Sequence, residues 1–419
     1  MFSRFTFAAL LLGGALLACS RESEHASSSS DEIVGGVAAK SSRLDAVGAL
    51  GRVQPDGSFK YYCTATLVAP RLLVTAKHCV ARSGGRPYTE SEAIHFGIGE
   101  DSTAPKRVVK VARTWMASLD AGGYIQRGAD VAMMSLEEPI EDIAPMPLVN
   151  DHLDASVVGA RVSSVGFGIR DVARSSAKRR AGTVTIRATE GPLVQSAFAS
   201  ADELVSFVRR EGGDAFAPTQ DEPRVRQLWD KSILAAHEVF VGIAPGDAQP
   251  CSGDSGGPLV ARVGGRLVVS AVVSGSFKLT NRDANPCSVV GEIYATFPSD
   301  VQAMFEEAIA ATEGPAPERI AMARPDEGAP FSLPEIAPDA ADRCPGITTQ
   351  GACSDGAAIR CIDPKEGPPR ITRTDCTLLL QTCKTVVPFR AAAPSDAGAD
   401  ADADAAAFDK TPVAECTDP

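Results

Sequence analysis

From Ile33 onward the apolar positions fall in short β-branched runs broken by Gly, Pro and Asp. Examples are "YYCTATLVAP", "RLLVTAKHCV", "KRVVKVART", "DVAMMSLEEP", "ARVSSVGFGI", "GTVTIRA" and "LVVSAVVSG". Many short runs at this spacing predict an all-β sandwich or barrel. Two stretches depart from the pattern. "SDVQAMFEEAIAAT", residues 299–312, repeats its apolar positions at helical spacing behind Ser299 and Asp300 as candidate caps, and predicts one helix closing the β-rich region. Residues 199–232 read as an insertion of mixed helix and loop between strands. Met133 and Met134 belong to the core, and "KRR" at 178–180 reads as an exposed loop.

On both sides of this region the periodicity fades. Residues 20–32, "SRESEHASSSSDE", are polar and serine-rich, as a disordered spacer is. Residues 313–343 are proline-rich and read as a linker. The last stretch, 344–419, holds six cysteines and the Ala/Asp tract "SDAGADADADAAA", which buries too little apolar surface to fold and reads as a disordered loop. The chain thus divides into 1–18, 19–32, 33–312, 313–343 and 344–419, and 419 residues suit two or three folded units.

Charge and the first residues change the picture next. A net charge of -12 argues against nucleic acid as a partner and against charge-driven binding to an anionic membrane. "MFSRFTFAALLLGGALLACS" places Arg4 before an apolar run too short for a comfortable membrane span, so it reads as a secretory signal. Its end, Leu16-Leu17-Ala18-Cys19, resembles the bacterial lipobox, which implies cleavage before Cys19 and lipid on its thiol. The membrane would then be reached only through that lipid, on the outer membrane in a two-membrane cell. Eleven cysteines are an odd number for an exported chain; setting Cys19 aside leaves four in the central region and six in the tail, both even. The tail cysteines lack the repeated CxxC pairs of a zinc site, which favours a small disulfide unit over a metal one.

The chemistry sits in four ordered signals. "LLVTAKHCV" puts His78 beside Cys79 at the end of an apolar strand, and "GADVAMMSL" leads Asp130 into another. "PCSGDSGGPLV" sets Ser255 between Asp254 and two glycines, and "EIVGG" opens the β-rich region at Ile33. Together they resemble the trypsin/chymotrypsin family of serine endopeptidases, in that family's order of His, Asp and Ser. The resemblance covers residues 33 to about 312.

What it implies is two six-stranded antiparallel β-barrels with a C-terminal helix, and a peptide hydrolase that needs neither cofactor nor metal. Ser255 would be the nucleophile, His78 its base, and Asp130 the group that fixes the histidine. The amides of Gly253 and Ser255 would face the oxyanion, each worth on the order of 3 kcal/mol. Asp254 would pair with the α-amine of a mature N-terminus at Ile33, so the chain would be a zymogen cut after Glu32 by a processing protease that accepts an acidic residue. With no cysteine in residues 20–32, that cut would also free the enzyme from its lipid. The family implies disulfides Cys63–Cys79 and Cys251–Cys287. At the pocket base the trypsin-like aspartate is replaced by Gln249. Ser274, Gly275 and Ser276 would form the edge that pairs with substrate. Glu292 would project into the pocket from the opposite wall or be a solvated surface residue, and Asp247 is a weaker acidic candidate. Protein or peptide is the implied substrate. A non-catalytic binding protein on the same fold, targeted by its cysteine-rich tail, is the competing class.

Overall fold

The computed structural model describes residues 33, 35–81, 93–118, 128–168, 178–212, 216–243, 246–278, 289–328, 347, 351–362, 370–386 and 413–419. The signal stretch, Cys19, the spacer with Glu32, Cys287, Cys344 and the Ala/Asp tract lie outside them. A two-residue strand, β1 (Val37–Ala38), leads in. Then β2 (Val47–Val53), β3 (Phe59–Ala69), β4 (Leu72–Thr75), β5 (His95–Ile98), β6 (Arg107–Met116) and β7 (Ala132–Leu136) close a barrel in the order β2-β3-β4-β7-β6-β5. Between β4 and β5 lies one helical turn, α1 (Lys77–Val80). These strands read as nearly continuous apolar runs because several are covered on both faces. In β7 all five residues are buried, Met133 and Met134 completely.

The second sheet contains β8 (Leu148–Val149), β9 (Arg161–Gly166), β10 (Arg180–Ala188), β11 (Glu238–Val241), β12 (Pro258–Val263), β13 (Arg266–Lys278), β14 (Val289–Ala295) and β15 (Arg319–Ile320). Pairing of β12 with both β9 and β13 closes six of them into a ring, so the fold is two closed six-stranded antiparallel barrels. Strand β1 adds to β10, while β8 and β15 extend the sheet in parallel from β13. One apolar core, including Leu67, Met134, Val165, Val260 and Phe305, runs through both barrels.

Three helices follow the sequence expectations in place, with differences in detail. Helices α2 (Ala201–Gly212) and α3 (Pro218–Trp229) fill the insertion between β10 and β11. Their apolar residues Leu204, Val208, Val225 and Leu228 form a separate core with Phe240 and Ile293. Helix α4 (Ser299–Ala310) closes the barrels and buries Val301, Met304, Phe305 and Ala308, the three-four spacing of one helical face. It packs on β6 and β7. Neither Ser299 nor Asp300 caps it. Pro298 takes the cap position without a side-chain bond, and Asp300 instead accepts from His237 Nε2 at 3.1 Å. Pro298 at that position supplies an extended backbone but has no side chain that could accept from the first turn.

In the "KRR" run only Lys178 is exposed; the two arginines are buried. Arg179 is 1% exposed and donates to the carbonyls of Ala39 (2.9 Å), Val47 (3.3 Å) and Ser41 (3.4 Å) and to Asp45 (2.8 Å). A guanidinium tolerates burial when its fork is filled with acceptors, and here it stitches the leading segment to the barrels. Arg180 is also buried, and its Nη2 donates to the Gly36 carbonyl.

The tail forms a three-stranded sheet of β16 (Ala352–Ser354), β17 (Ala357–Ile362) and β18 (Arg370–Asp375), and a hairpin of β19 (Thr382–Val386) and β20 (Val413–Thr417). Disulfides Cys353–Cys383 and Cys376–Cys416 hold it, and Cys361 is also disulfide-bonded. Ahead of it, residues 314–328 lie along the second barrel, where Asp326 accepts from the amides of Gly264 (3.1 Å) and Gly265 (2.8 Å). Among the described residues no helix is long and apolar enough to cross a membrane.

Candidate active site

His78 rides on α1, directly after the buried strand β4, and the Cys63–Cys79 disulfide ties that turn to β3. Asp130 enters from the turn before β7 and is 2% exposed. Its carboxylate accepts from His78 Nδ1 at 2.7 Å, from the His78 backbone amide at 2.8 Å and from Ser274 Oγ at 2.6 Å. Burial alone would raise this carboxyl's pKa. The His78 ring, its hydrogen bonds and the Ser274 hydroxyl outweigh that and hold it below the ordinary value. A proton on Nδ1 leaves Nε2 as the basic nitrogen.

The turn that carries Ser255 is pinned from both barrels. Thr64 of β3 donates its amide to the Ser255 carbonyl at 2.9 Å and its hydroxyl to the Gly253 carbonyl at 2.9 Å. Gly256 and Val273 add two further backbone bonds across to β13. Gly253 has φ 102° and Gly256 φ 77°, a region that L side chains rarely adopt. A Cβ on Gly256 would also stand 2.0 Å from Thr75 Oγ1. Held this way, Ser255 is half-buried, with its carbonyl 3.5 Å from Cys79 Sγ, next to His78. The Ser255 hydroxyl makes no hydrogen bond to His78 in the described residues. Neither the Gly253 nor the Ser255 amide donates a hydrogen bond there, so both are open to an incoming acceptor.

Asp254 points the other way, into the interior. It is fully buried, accepting from the amides of Gly168 and Cys251, each at 2.7 Å. A Cβ on Gly166 or on Gly168 would stand 2.2 Å from its oxygens, so "GFG" at the end of β9 needs both glycines. Burial pushes the Asp254 carboxyl up to about 7, against the two amides and the nearby charge of Arg180. Ile33 is fully buried in the uncut chain, its carbonyl accepting from Gly36 at 2.7 Å and its side chain beside Gly182.

Glu292 is not a solvated surface residue. It is 3% exposed on β14, opposite Ser276 of β13 and Val241 of β11, and its Oε1 has no hydrogen-bond partner among the described residues. Burial, reinforced by the Asp254 charge, pushes its carboxyl well above the ordinary range. Gln249 is half-buried. Asp247 is occupied elsewhere, accepting from the amide and hydroxyl of Thr185 (3.2 and 2.9 Å). Among the described residues Gly275 and Ser276 pair only with β14, at Ile293 and Glu292, while Ser274 sits at a register shift and its side chain turns back to Asp130. Cys251 is disulfide-bonded, and the position of Cys287 is outside the described residues.

Sequence reasoning missed three contributors. The Ser274 hydroxyl and Thr64 under the Ser255 turn sit in runs whose local pattern announces only strands, and buried Arg180 sits in a run that reads as a solvated loop. Cys63, His78 and Cys79 come within 4.8 Å of one another, but the two sulfurs are joined to each other, which leaves one imidazole and no ligand set.

The Trypsin family model matches residues 33–294, both barrels and all the residues above. A curated protein named Trypsin, from Saccharopolyspora erythraea, is 26% identical over 210 residues, which are 50% of this chain and 73% of that protein. With its two closed barrels and this match over more than half its length, the chain belongs to the trypsin family of serine proteases.

Proposed function

We propose that the chain is an exported serine endopeptidase, made as a zymogen and activated by a cut between Glu32 and Ile33. The observation that carries this is the His78–Asp130–Ser274 arrangement: a buried carboxylate with three donors fixes an imidazole whose chain neighbour Cys79 lies against the glycine-framed turn of Ser255. In the reaction, Ser255 Oγ bonds to the scissile carbonyl carbon while its proton passes to His78 Nε2. The open amides of Gly253 and Ser255 take the oxyanion. Collapse breaks the C–N bond, and the leaving amine carries off the proton from His78. Water then attacks the acyl-enzyme, gives a proton to His78, and releases the acid and the serine.

The buried Asp254 supports the zymogen reading. A carboxyl that burial holds near pH 7 gains a counter-charge when the cut turns Ile33 into a free ammonium. Unpartnered Glu292 supports acceptance of Lys or Arg at the cleaved position, because a buried acid without a partner gains most from a cation. The signal stretch and Cys19 support export, with a lipid anchor lost on activation.

The test is a peptide-library cleavage profile of the chain cut before Ile33, with Ser255→Ala as the control. Cleavage after Lys and Arg that disappears in Ser255→Ala, and that moves away from basic residues in Glu292→Gln, is the expected result. An apolar preference untouched by Glu292→Gln overturns the pocket assignment, and cleavage that survives Ser255→Ala overturns the mechanism.

A further inference from the structure

We infer that the C-terminal disulfide unit is a built-in clamp on the activation pocket: β18 grips both the segment behind the cut site and the loop ahead of Gln249, and so sets how much of the cut enzyme is competent. This rests on the zymogen reading and goes beyond it, since the tail lies wholly outside residues 33–294 that match the family.

Two protease segments meet at β18. The first follows the cut site. The Thr374 hydroxyl donates to the Gly35 carbonyl at 3.4 Å, and a Cβ on Gly35 would stand 2.4 Å from the Thr372 methyl. Thr372 and Thr374, two apart on a strand, share one face and are both buried. Next along, Val37 is fully buried in a cluster with Ala358, Cys376, Ala414 and Cys416, all from the tail. Lys40 Nζ pairs with Glu415 at 2.9 Å, and Arg43 donates to the Leu380 carbonyl at 2.7 Å. From Gly35 to Arg43 the leading segment is thus held by the tail.

The second segment is the loop before the pocket residue Gln249. Thr372 bridges to Gly246, and the Arg373 amide donates to the Gly246 carbonyl at 2.9 Å. The Asp375 amide donates to the Thr183 hydroxyl at 2.8 Å, while the Thr183 carbonyl accepts from Ala248 at 2.8 Å. One strand therefore ties the segment behind Ile33 to the loop before Gln249 and to Thr183 of β10. Gly36 completes the link, because its carbonyl accepts from Arg180, whose charge acts on Asp254.

Activation requires a new N-terminus to order itself against Asp254, and every residue that must be ordered costs conformational entropy. With Gly35 onward already clamped, the segment behind the cut brings little further ordering cost. The competent fraction of cut molecules is raised by that preorganisation, as for any two-state equilibrium biased by contacts made in one state. Thr372, Thr374 and Glu415 are positioning residues: they touch no substrate and act through the Ile33–Asp254 pair.

The test uses the full chain, cut to completion before Ile33, with mass spectrometry to confirm the cut. Fluorophosphonate titration counts competent sites, and ester hydrolysis is followed from neutral to alkaline pH. Thr372→Ala/Thr374→Val is expected to lower kcat per cut chain at least threefold, to leave KM within about twofold, and to move the alkaline loss of activity down by roughly half a unit or more. That limb reports deprotonation of the Ile33 amine, which a merely loosened tail leaves unmoved. Lys40→Glu, an exposed change safe for folding, shifts the limb in the same direction, and adding Glu415→Lys restores it. Cut variants whose titre and pH profile superimpose on the wild type overturn the clamp. A wild-type chain that never labels overturns the protease reading instead.

Discussion

Asp130 carries three donors on two oxygens, and the Ser274 hydroxyl is the one not supplied by His78. Removing it strips one charge-assisted bond from a buried carboxylate, worth about 1.5–3 kcal/mol. Ser274→Ala is therefore expected to lower kcat/KM by roughly ten- to a hundredfold, with the Ser255 turn intact and labelling slower rather than absent. Asp254 gives a prediction in pH. In the uncut chain its carboxyl stands near 7 against 3.8 as the ordinary value, so between those limits the native state holds a proton that the unfolded state has lost. Stability conferred by that proton is present below pH 3.8 and is lost as pH rises through about 7. Melts of the uncut chain are expected to fall from pH 5 to pH 8 more steeply for the wild type than for Asp254→Asn, by on the order of a few kcal/mol. Glu292 contributes a slope of the same sign, and because the Asp254 charge adds to its upward shift, the difference between the two chains reports the Asp254–Glu292 pair. Parallel melts would contradict the assignment.

At the scale of elements, α4 and the Cys63–Cys79 bridge hold the catalytic edge. Phe305 is fully buried on α4, 5.3 Å from the Phe297 ring. Phe305→Ala is expected to cost about 3–5 kcal/mol in denaturant unfolding while leaving the active-site titre of folded enzyme unchanged. Strands such as "RLLVT" and "DVAMMSL" were legible because short, mostly apolar runs of this length suit strands buried on both faces, and α4 because its apolar residues recur every three or four. His78, Asp130 and Ser255 stand out in the sequence because each lies in a short local motif. Arg179 and Arg180 were misread for the opposite reason: "KRR" is locally indistinguishable from a solvated run. Only the carbonyls of Ala39, Ser41, Val47 and Gly36, over a hundred residues away, explain their burial. Ser274 was placed on the right strand, but its bond to Asp130 spans 144 residues and leaves no trace in local pattern. The helix cap was misassigned because Asp300 had a better partner in His237, which only the tertiary fold supplies.

At the scale of the whole molecule, the tail touches the segment just behind the proposed cut, while Cys19, the proposed lipid site, lies on the other side of it. The soluble active form is therefore expected to begin at Ile33, to retain the tail and to carry no lipid. N-terminal sequencing of membrane and soluble fractions checks this, and an active species that still carries lipid contradicts it. On the proposed reading, cleavage and the ordering of Ile33 against Asp254 come before acylation of Ser255, whose flanking amides have no internal acceptor among the described residues. The most direct test of that order is fluorophosphonate labelling of the full chain before and after the cut, with the labelled peptide identified by mass spectrometry. The account predicts one label per cut chain, on Ser255, with little on the uncut chain and none in His78→Ala. A correctly cut chain with an intact Ile33 terminus that takes no label on Ser255 would contradict it.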